Sequence, residues 1–374
     1  MLAIAAASTL VLLGGCANLA TGCGKNELVY VGTDTTQLRA LRLDACAGRL
    51  SMIGPVADVA KPRWTVAHPK LPILYAAVDG SGKEGSVVAY AVDRDSGALT
   101  KMGEVPAGGG GTTHLSLDAP SSTLLASNFM GGSVTSIALN EDGSLGARVS
   151  TIQATGSGPH RRQSRPHAHG SAVDPSGKFA LVADMGADRV FVYGFDRGGR
   201  ALSGDAAAQS RSFQSPPGSG PRRAVFGPSG HYVYVLNELT AEIVTLRWDA
   251  QHARLSQVQV LQASTPGFKG NKSVSEIALS RDGRFVYVGN RGESTLQVYG
   301  VNAETGELTL VQRTRSGGDG PWHFEIHASG KWMLVANYRS NTVNLFSIDA
   351  GSGMLTDTSE SIDTPSPVSV GFMN

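Results

Sequence analysis

Short apolar runs of strand length recur along most of this chain. Clusters of Gly, Asp, Asn, Ser and Pro separate them. Ile73–Val78 (ILYAAV), Phe179–Asp184 (FALVAD), Tyr232–Asn237 (YVYVLN) and Phe285–Asn290 (FVYVGN) are examples. Leu124–Asn128 and Met333–Asn337 read the same way. They are rich in β-branched and aromatic residues, which pack well on a pleated surface. One stretch written out shows the order. Arg63–His68 is a strand that Pro69 breaks; Ile73–Val78 follows and ends at Asp79-Gly80-Ser81-Gly82. Val87–Val92 is a third strand, and Leu99–Val105 a fourth after a turn. Further first strands are expected at Thr113–Leu117, Ala168–Val173, Arg223–Phe226, Val274–Leu279 and His323–Ile326.

The turn before each fourth strand carries a phrase that recurs seven times: an Asp or Asn, several turn-formers, then Leu. It runs Asp44–Leu50, Asp93–Leu99, Asn140–Leu145, Asp196–Leu202, Asp249–Leu255, Asn302–Leu308 and Asp349–Leu355. Its closing leucines lie 46 to 57 residues apart. That is the period of one propeller blade. The pattern predicts an all-β, seven-bladed β-propeller with four antiparallel strands per blade. The first unit supplies only three strands, including Glu27–Thr33 and Leu38–Asp44. The spare C-terminal strand Pro367–Phe372 is expected to complete it, closing the ring and removing an open sheet edge.

Composition fits one large domain rather than two. The 374 residues include 47 Gly, as expected for many tight turns, and the formal net charge is +1. No nucleic-acid-binding surface is indicated. Residues 1–22 read as a leader and linker, and residues 23–374 as the propeller. Leu2–Leu13 is an apolar run of signal-peptide length. It ends in Leu13-Gly14-Gly15-Cys16, which resembles a bacterial lipobox, although Met1–Thr9 contains no Lys or Arg. The expectation is an exported lipoprotein of the periplasm or outer membrane. It would be lipidated at Cys16 and touch the membrane only through that anchor. In an oxidising compartment the remaining Cys23 and Cys46 become candidates for a disulfide, since both flank the same end of the first hairpin. A monomer is expected.

In an antiparallel blade the start of the innermost strand lies beside the end of the second. Both positions therefore gather at one mouth of the central channel, where ligands of such folds are expected. The inner-strand starts carry His114, His167, His169, Arg222, Arg223, Glu276 and His323. The second-strand ends carry Asn128, Asp184, Asn237-Glu238, Asn290-Arg291 and Asn337. Guanidinium groups suit carboxylate or phosphate recognition, and a His–Glu combination suits proton transfer near neutral pH. The inference is a small anionic or polyhydroxylated ligand. His167 and His169 alternate on one strand in a way that can bind metal, but no third ligand is evident. No metal or cofactor is expected.

Pro166–Tyr193 (PHAHGSAVDPSGKFALVADMGADRVFVY), Gly220–Leu239 and Leu279–Gly292 resemble the signature segments of the seven-bladed β-propeller lactonases. So do Tyr30–Thr33 near the start and Val335–Asp349 near the end. That family includes bacterial 6-phosphogluconolactonases and fungal carboxymuconate-lactonising enzymes. The resemblance spans residues 27–374. It implies a catalytic set of His169, Arg222, Glu238 and Arg291, all of which belong to the mouth positions above. Two departures bear on the substrate. The family's sixth inner-strand motif reads Pro-Arg-His-Phe, whereas here Trp322 replaces the Arg in Pro321–Phe324. The loop Pro159–His167 (PHRRQSRPH) is also unusually basic.

The reaction so implied is hydrolysis of a sugar lactone. His169 or Glu238 would take a proton from water, and Arg222 or Arg291 would stabilise the oxyanion. His167, His323, Asn337, His114 and Asp184 are candidates for substrate hydroxyls. Phosphorylated gluconolactone is a cytoplasmic metabolite, so an exported chain suits an unphosphorylated aldonolactone better. Two other readings stand beside this one: a non-catalytic exported binding or scaffold propeller, and a muconate-type lactonising cyclase that runs the ring closure.

Overall fold

The computed structural model describes residues 26–204 and 211–373. Seven sheets share one antiparallel pattern from inner to outer strand, and in all but the first the strands are consecutive in sequence. In the second blade these are Pro62–Ala67, Ile73–Val78, Glu84–Val92 and Leu99–Gly110. In the first, Pro367–Phe372 is innermost and pairs antiparallel with Glu27–Thr33, from Val29 opposite Phe372 to Thr33 opposite Pro367. The C-terminal strand thus closes the ring as the strand count required. The fourth blade departs from the pattern. Its outermost strand is reduced to Ala201–Ser203, and Phe213–Gln214 pairs further along the same neighbour.

The continuous apolar runs are second strands, and each is buried on both faces. In Ile73–Val78 every residue is buried. Ile73, Tyr75 and Ala77 pack with Leu115, Leu124 and Ile137 of the third blade. Leu74, Ala76 and Val78 pack with Tyr30, Leu38 and Ala40 of the first. Strand alternation therefore sends one set of side chains into each neighbouring blade. The same division yields seven apolar clusters among the described residues, one at each junction of the ring.

The repeated turn phrase acts as a latch between blades. Tyr30 Oη donates to Gly97 O at 2.9 Å and Tyr75 Oη to Gly143 O at 2.6 Å. Tyr232 Oη reaches Glu304 O at 2.5 Å, Tyr287 Oη reaches Gly353 O at 3.0 Å and Trp332 Nε1 reaches Ala45 O at 3.0 Å. In each case a second strand grips the turn of the next blade. The fourth blade uses an ion pair, Arg197 with Asp118 at 2.7 Å. The turns form because their first residue caps them. Asp93 Oδ1, for example, accepts the N–H groups of Asp95 and Ser96, and Gly97 takes φ +80°.

Cys46 lies in such a turn and is disulfide-bonded. Cys16 and Cys23 lie outside the described residues, as does the apolar leader. Among the described residues no helix is long and apolar enough to cross a membrane.

Candidate active site

Every inner strand carries a β-bulge near its first residues. Register shifts fall between Pro62 and Trp64, Thr112 and His114, Ala168 and Gly170, Pro221 and Arg223, Val274 and Glu276, and Pro321 and His323. The first blade has the matching irregularity, opposite Gly32 and Thr33. A bulge sets two residues against one partner and re-aims the extra side chain. Arg63, Thr113, His169, Arg222 and Trp322 occupy bulge positions, and all line one cavity of about 310 Å³ at the mouth. Among the residues that follow them, Trp64, His114, Arg223, Glu276 and His323 line a second chamber below, of about 500 Å³. Trp64 and Arg223 border both and form the floor between them.

Four side chains from three blades meet at the upper cavity around one carboxylate. Glu238 is almost fully buried at 1% exposure. Its Oε2 accepts from Arg222 Nη1 at 2.8 Å. Its Oε1 takes Arg162 Nη1 at 2.7 Å and Arg291 Nη2 at 3.0 Å. Arg222 Nη1 also contacts His169 Nε2, and Arg222 Nε donates to Ser275 O. His169 Nε2 lies 3.9 Å from Glu238 Oε2. Below, Arg223 donates from Nε to Glu276 at 3.1 and 3.2 Å, and from Nη1 to His169 O. The Arg223 guanidinium lies 4.5 Å over the Trp64 ring, and that of Arg291 lies 4.4 Å over Trp322.

The electrostatics follow from this packing. Burial opposes charge on Glu238, but Arg291, Arg222 and Arg162 overcome it and hold its carboxyl well below the usual range. Burial, reinforced by Arg222 and Arg223, drives His169 well below an ordinary histidine, so the ring is neutral at pH 7. Both ring nitrogens face guanidinium donors: Nε2 meets Arg222 Nη1, and Nδ1 lies 3.4 Å from Arg223 Nη1. Burial, helped by the charges of Arg222 and Arg162, carries Arg291 down to about 10 against the pull of Glu238.

The sequence reading brought His169, Arg222, Glu238 and Arg291 together, and the structure does the same. His114 and His323 belong to the floor instead. Each packs edge-on against Trp64, and their Nδ1 atoms accept the backbone N–H groups of Ser171 and Val370. His167 precedes its strand. It stacks on Phe129 with ring centroids 4.4 Å apart and places Nδ1 2.8 Å from Phe129 O. It therefore supports Phe129, whose edge meets His169, and does not itself line the cavity. Asn337 and Asp184 also turn away from it. Asn337 Nδ2 donates to Ser316 O and Asn344 Oδ1, whereas Asp184 accepts the N–H groups of His167 and Ala187. Burial raises the Asp184 carboxyl to about 6. Asn128 and Asn290 occupy the same ring position and brace outer strands through Ala107 O and Ala263 O.

Sequence reasoning missed Asp34, Arg63, Asp79, Phe129, Met130 and the wall role of Trp322, all of which line the cavity. The signal was present. The same positional rule, applied to the first two blades, lands on Asp34, Arg63 and Asp79. Among the described residues no cluster of three or more His, Cys, Asp or Glu is placed to hold a metal.

The fold is thus a seven-bladed propeller with a buried His–Arg–Glu–Arg cluster at one end of its channel. A family model for the seven-bladed β-propeller lactonases matches residues 28–372, and the chain belongs to that family. It is 33% identical to a 6-phosphogluconolactonase of Bacillus subtilis, over 92% of this chain and 98% of that protein. It also resembles the solved structure of a periplasmic gluconolactonase of Pseudomonas aeruginosa. The TM-score there is 0.86 at 29% identity, covering 94% of this chain and 99% of the other. A putative 6-phosphogluconolactonase of Bacteroides fragilis aligns with a TM-score of 0.84 at 26% identity, covering 93% and 98%.

Proposed function

We propose that this chain hydrolyses a sugar lactone in the upper cavity. One observation supports the reading: His169, Arg222 and Arg291 line a single pocket, and Glu238 behind them pairs with both arginines. An entering lactone carbonyl would accept from Arg222 and Arg291. In doing so it would take Arg222 away from His169 Nε2, freeing that lone pair. Water attacks the carbonyl carbon while His169 Nε2 removes its proton. The oxyanion that forms is stabilised by the two guanidinium groups in a partly dry site. As the ring C–O bond breaks, the imidazolium returns the proton to the leaving ring oxygen, giving an open-chain hydroxy acid. Glu238 is too strongly held as an anion to serve as the base. Its role is to fix both arginines and offset their mutual repulsion.

The address is part of the same proposal. The leader Leu2–Leu13, the lipobox-like Cys16 and the name of the Pseudomonas relative together support export as a lipoprotein. A Cys23–Cys46 disulfide fits that compartment, and the active unit is proposed to be a monomer. The test is proton release from glucono-δ-lactone and from 6-phosphoglucono-δ-lactone, corrected for spontaneous opening. Enzyme-dependent release from at least one is expected. None from either would contradict the assignment.

A further inference from the structure

The wall of the upper cavity facing the catalytic arginines is built from the opposite charge. Arg63 occupies the bulge position of the second blade. It donates from Nε to Asp79 Oδ2 at 3.0 Å, and its Nη2 lies 2.9 Å from Asp34 Oδ1 and 3.0 Å from Asp79 Oδ2. Asp34 follows the second strand of the first blade, and Asp79 that of the second. Arg222, Glu238 and Arg291 come from the fifth and sixth blades, on the far side of a seven-membered ring. Tyr338 Oη donates to Asp34 Oδ2 at 3.3 Å and holds that carboxylate at the cavity edge.

The two walls therefore differ in balance. On one, Arg162, Arg222 and Arg291 surround the single carboxylate of Glu238. On the other, two carboxylates share Arg63, with the half-exposed Lys61 only at 3.9 Å. An ionised carboxylate has lone pairs for several donors and offers none of its own. Sugar hydroxyls supply such donors. A phosphate dianion supplies only acceptors and negative charge, and like charges set against each other are strongly disfavoured.

We propose that Asp34 and Asp79, clamped by Arg63, form a hydroxyl-reading subsite that selects an unphosphorylated aldonolactone. The lactone carbonyl lies at Arg222 and Arg291, and the hydroxylated end of the sugar points at the two carboxylates. A phosphate on that end meets both and is rejected. This inference rests on the lactonase reading and adds to it the substrate class and the residues that set it.

The experiment compares kcat/KM for glucono-δ-lactone and 6-phosphoglucono-δ-lactone in wild type, Asp34→Asn, Asp79→Asn and the double variant. Each asparagine keeps an acceptor for Arg63, and thermal melts establish that each variant is folded. Wild type should favour the unphosphorylated lactone. Each single change should move the ratio toward the phosphorylated one by about tenfold, mainly through KM, and the double variant further. A ratio unchanged within about twofold in folded variants that still hydrolyse lactone, or a wild type that prefers the phosphorylated substrate, overturns this inference alone. Absence of turnover on both lactones by wild type overturns the hydrolase reading beneath it.

Discussion

The two chambers of the channel are lined by the same seven strands, yet the proposed chemistry belongs to only one. At the upper mouth every strand is bulged, and the extra residues bring in His169, Arg222, Arg63 and Trp322. Below the Trp64–Arg223 floor the pairing is regular. There His114, Glu276 and His323 lie just under the floor, and the rest of the lining includes Val66, Ala67, Ala172, Val225, Ile277, Leu279 and Ile326, with Ser116, Ser171 and Glu325 among them. One inserted residue per strand thus separates the proposed active pocket from the lower chamber.

The comparison breaks most visibly at Glu238. Glu238→Gln leaves Arg222 and Arg291 buried without their anion. We expect a loss of about 3–5 kcal/mol in denaturant unfolding together with loss of turnover. A variant as stable as wild type would mean that the arginines are not held by this carboxylate.

A second test reads His169. In the proposed mechanism its neutral form is the base, and its proton affinity lies well below the usual histidine value because of burial and the flanking guanidinium groups. The kcat/KM profile should therefore stay level from pH 8 down past 6.5 and fall only at more acid pH. An acid limb at or above pH 6.5 would exclude His169, as placed here, from the role of base.

The smallest effect is expected in the lower chamber. Burial, with Glu276 nearby, raises the Glu325 carboxyl to about 8. Its folded value exceeds its unfolded one, so its contribution is full below about 4.5 and lost as pH rises through about 8. Glu325→Gln should gain in melting temperature relative to wild type between pH 5 and pH 8. Its turnover should stay within about twofold of wild type. A larger loss of activity would give the lower chamber a part in catalysis.

Much of this was legible in the sequence, for physical reasons. The blade count followed from turn phrases that recur, six of them among the described residues held by a neighbouring blade, as Tyr30 holds Gly97. The ring closure followed from strand counting. The His169–Arg222–Glu238–Arg291 set followed from position on the strands together with family likeness. The bulges were not legible, because the inner strands are only six or seven residues long and are bulged at their second residue, too close to the end for a break in alternation to show. Hence His114 and His323 were placed at the mouth when they belong to the floor. Asn337 and Asp184 were misplaced for a different reason: a polar residue at a strand end can face the channel or brace an outer strand, and only contacts such as Asn337 with Ser316 O decide it. Asp34, Arg63 and Asp79 were overlooked because none falls inside a segment that carries the family likeness, although Asp34 directly follows Tyr30–Thr33.

The central claim is that the bulged mouth is where a lactone is opened, and Arg222 tests it most directly. Proton release from glucono-δ-lactone should be measured for wild type and Arg222→Ala under conditions where both are folded. Glu238 keeps Arg291 and Arg162 in that variant, so the propeller should persist while turnover falls at least about a hundredfold. Turnover equal to wild type in a folded Arg222→Ala protein would contradict the account.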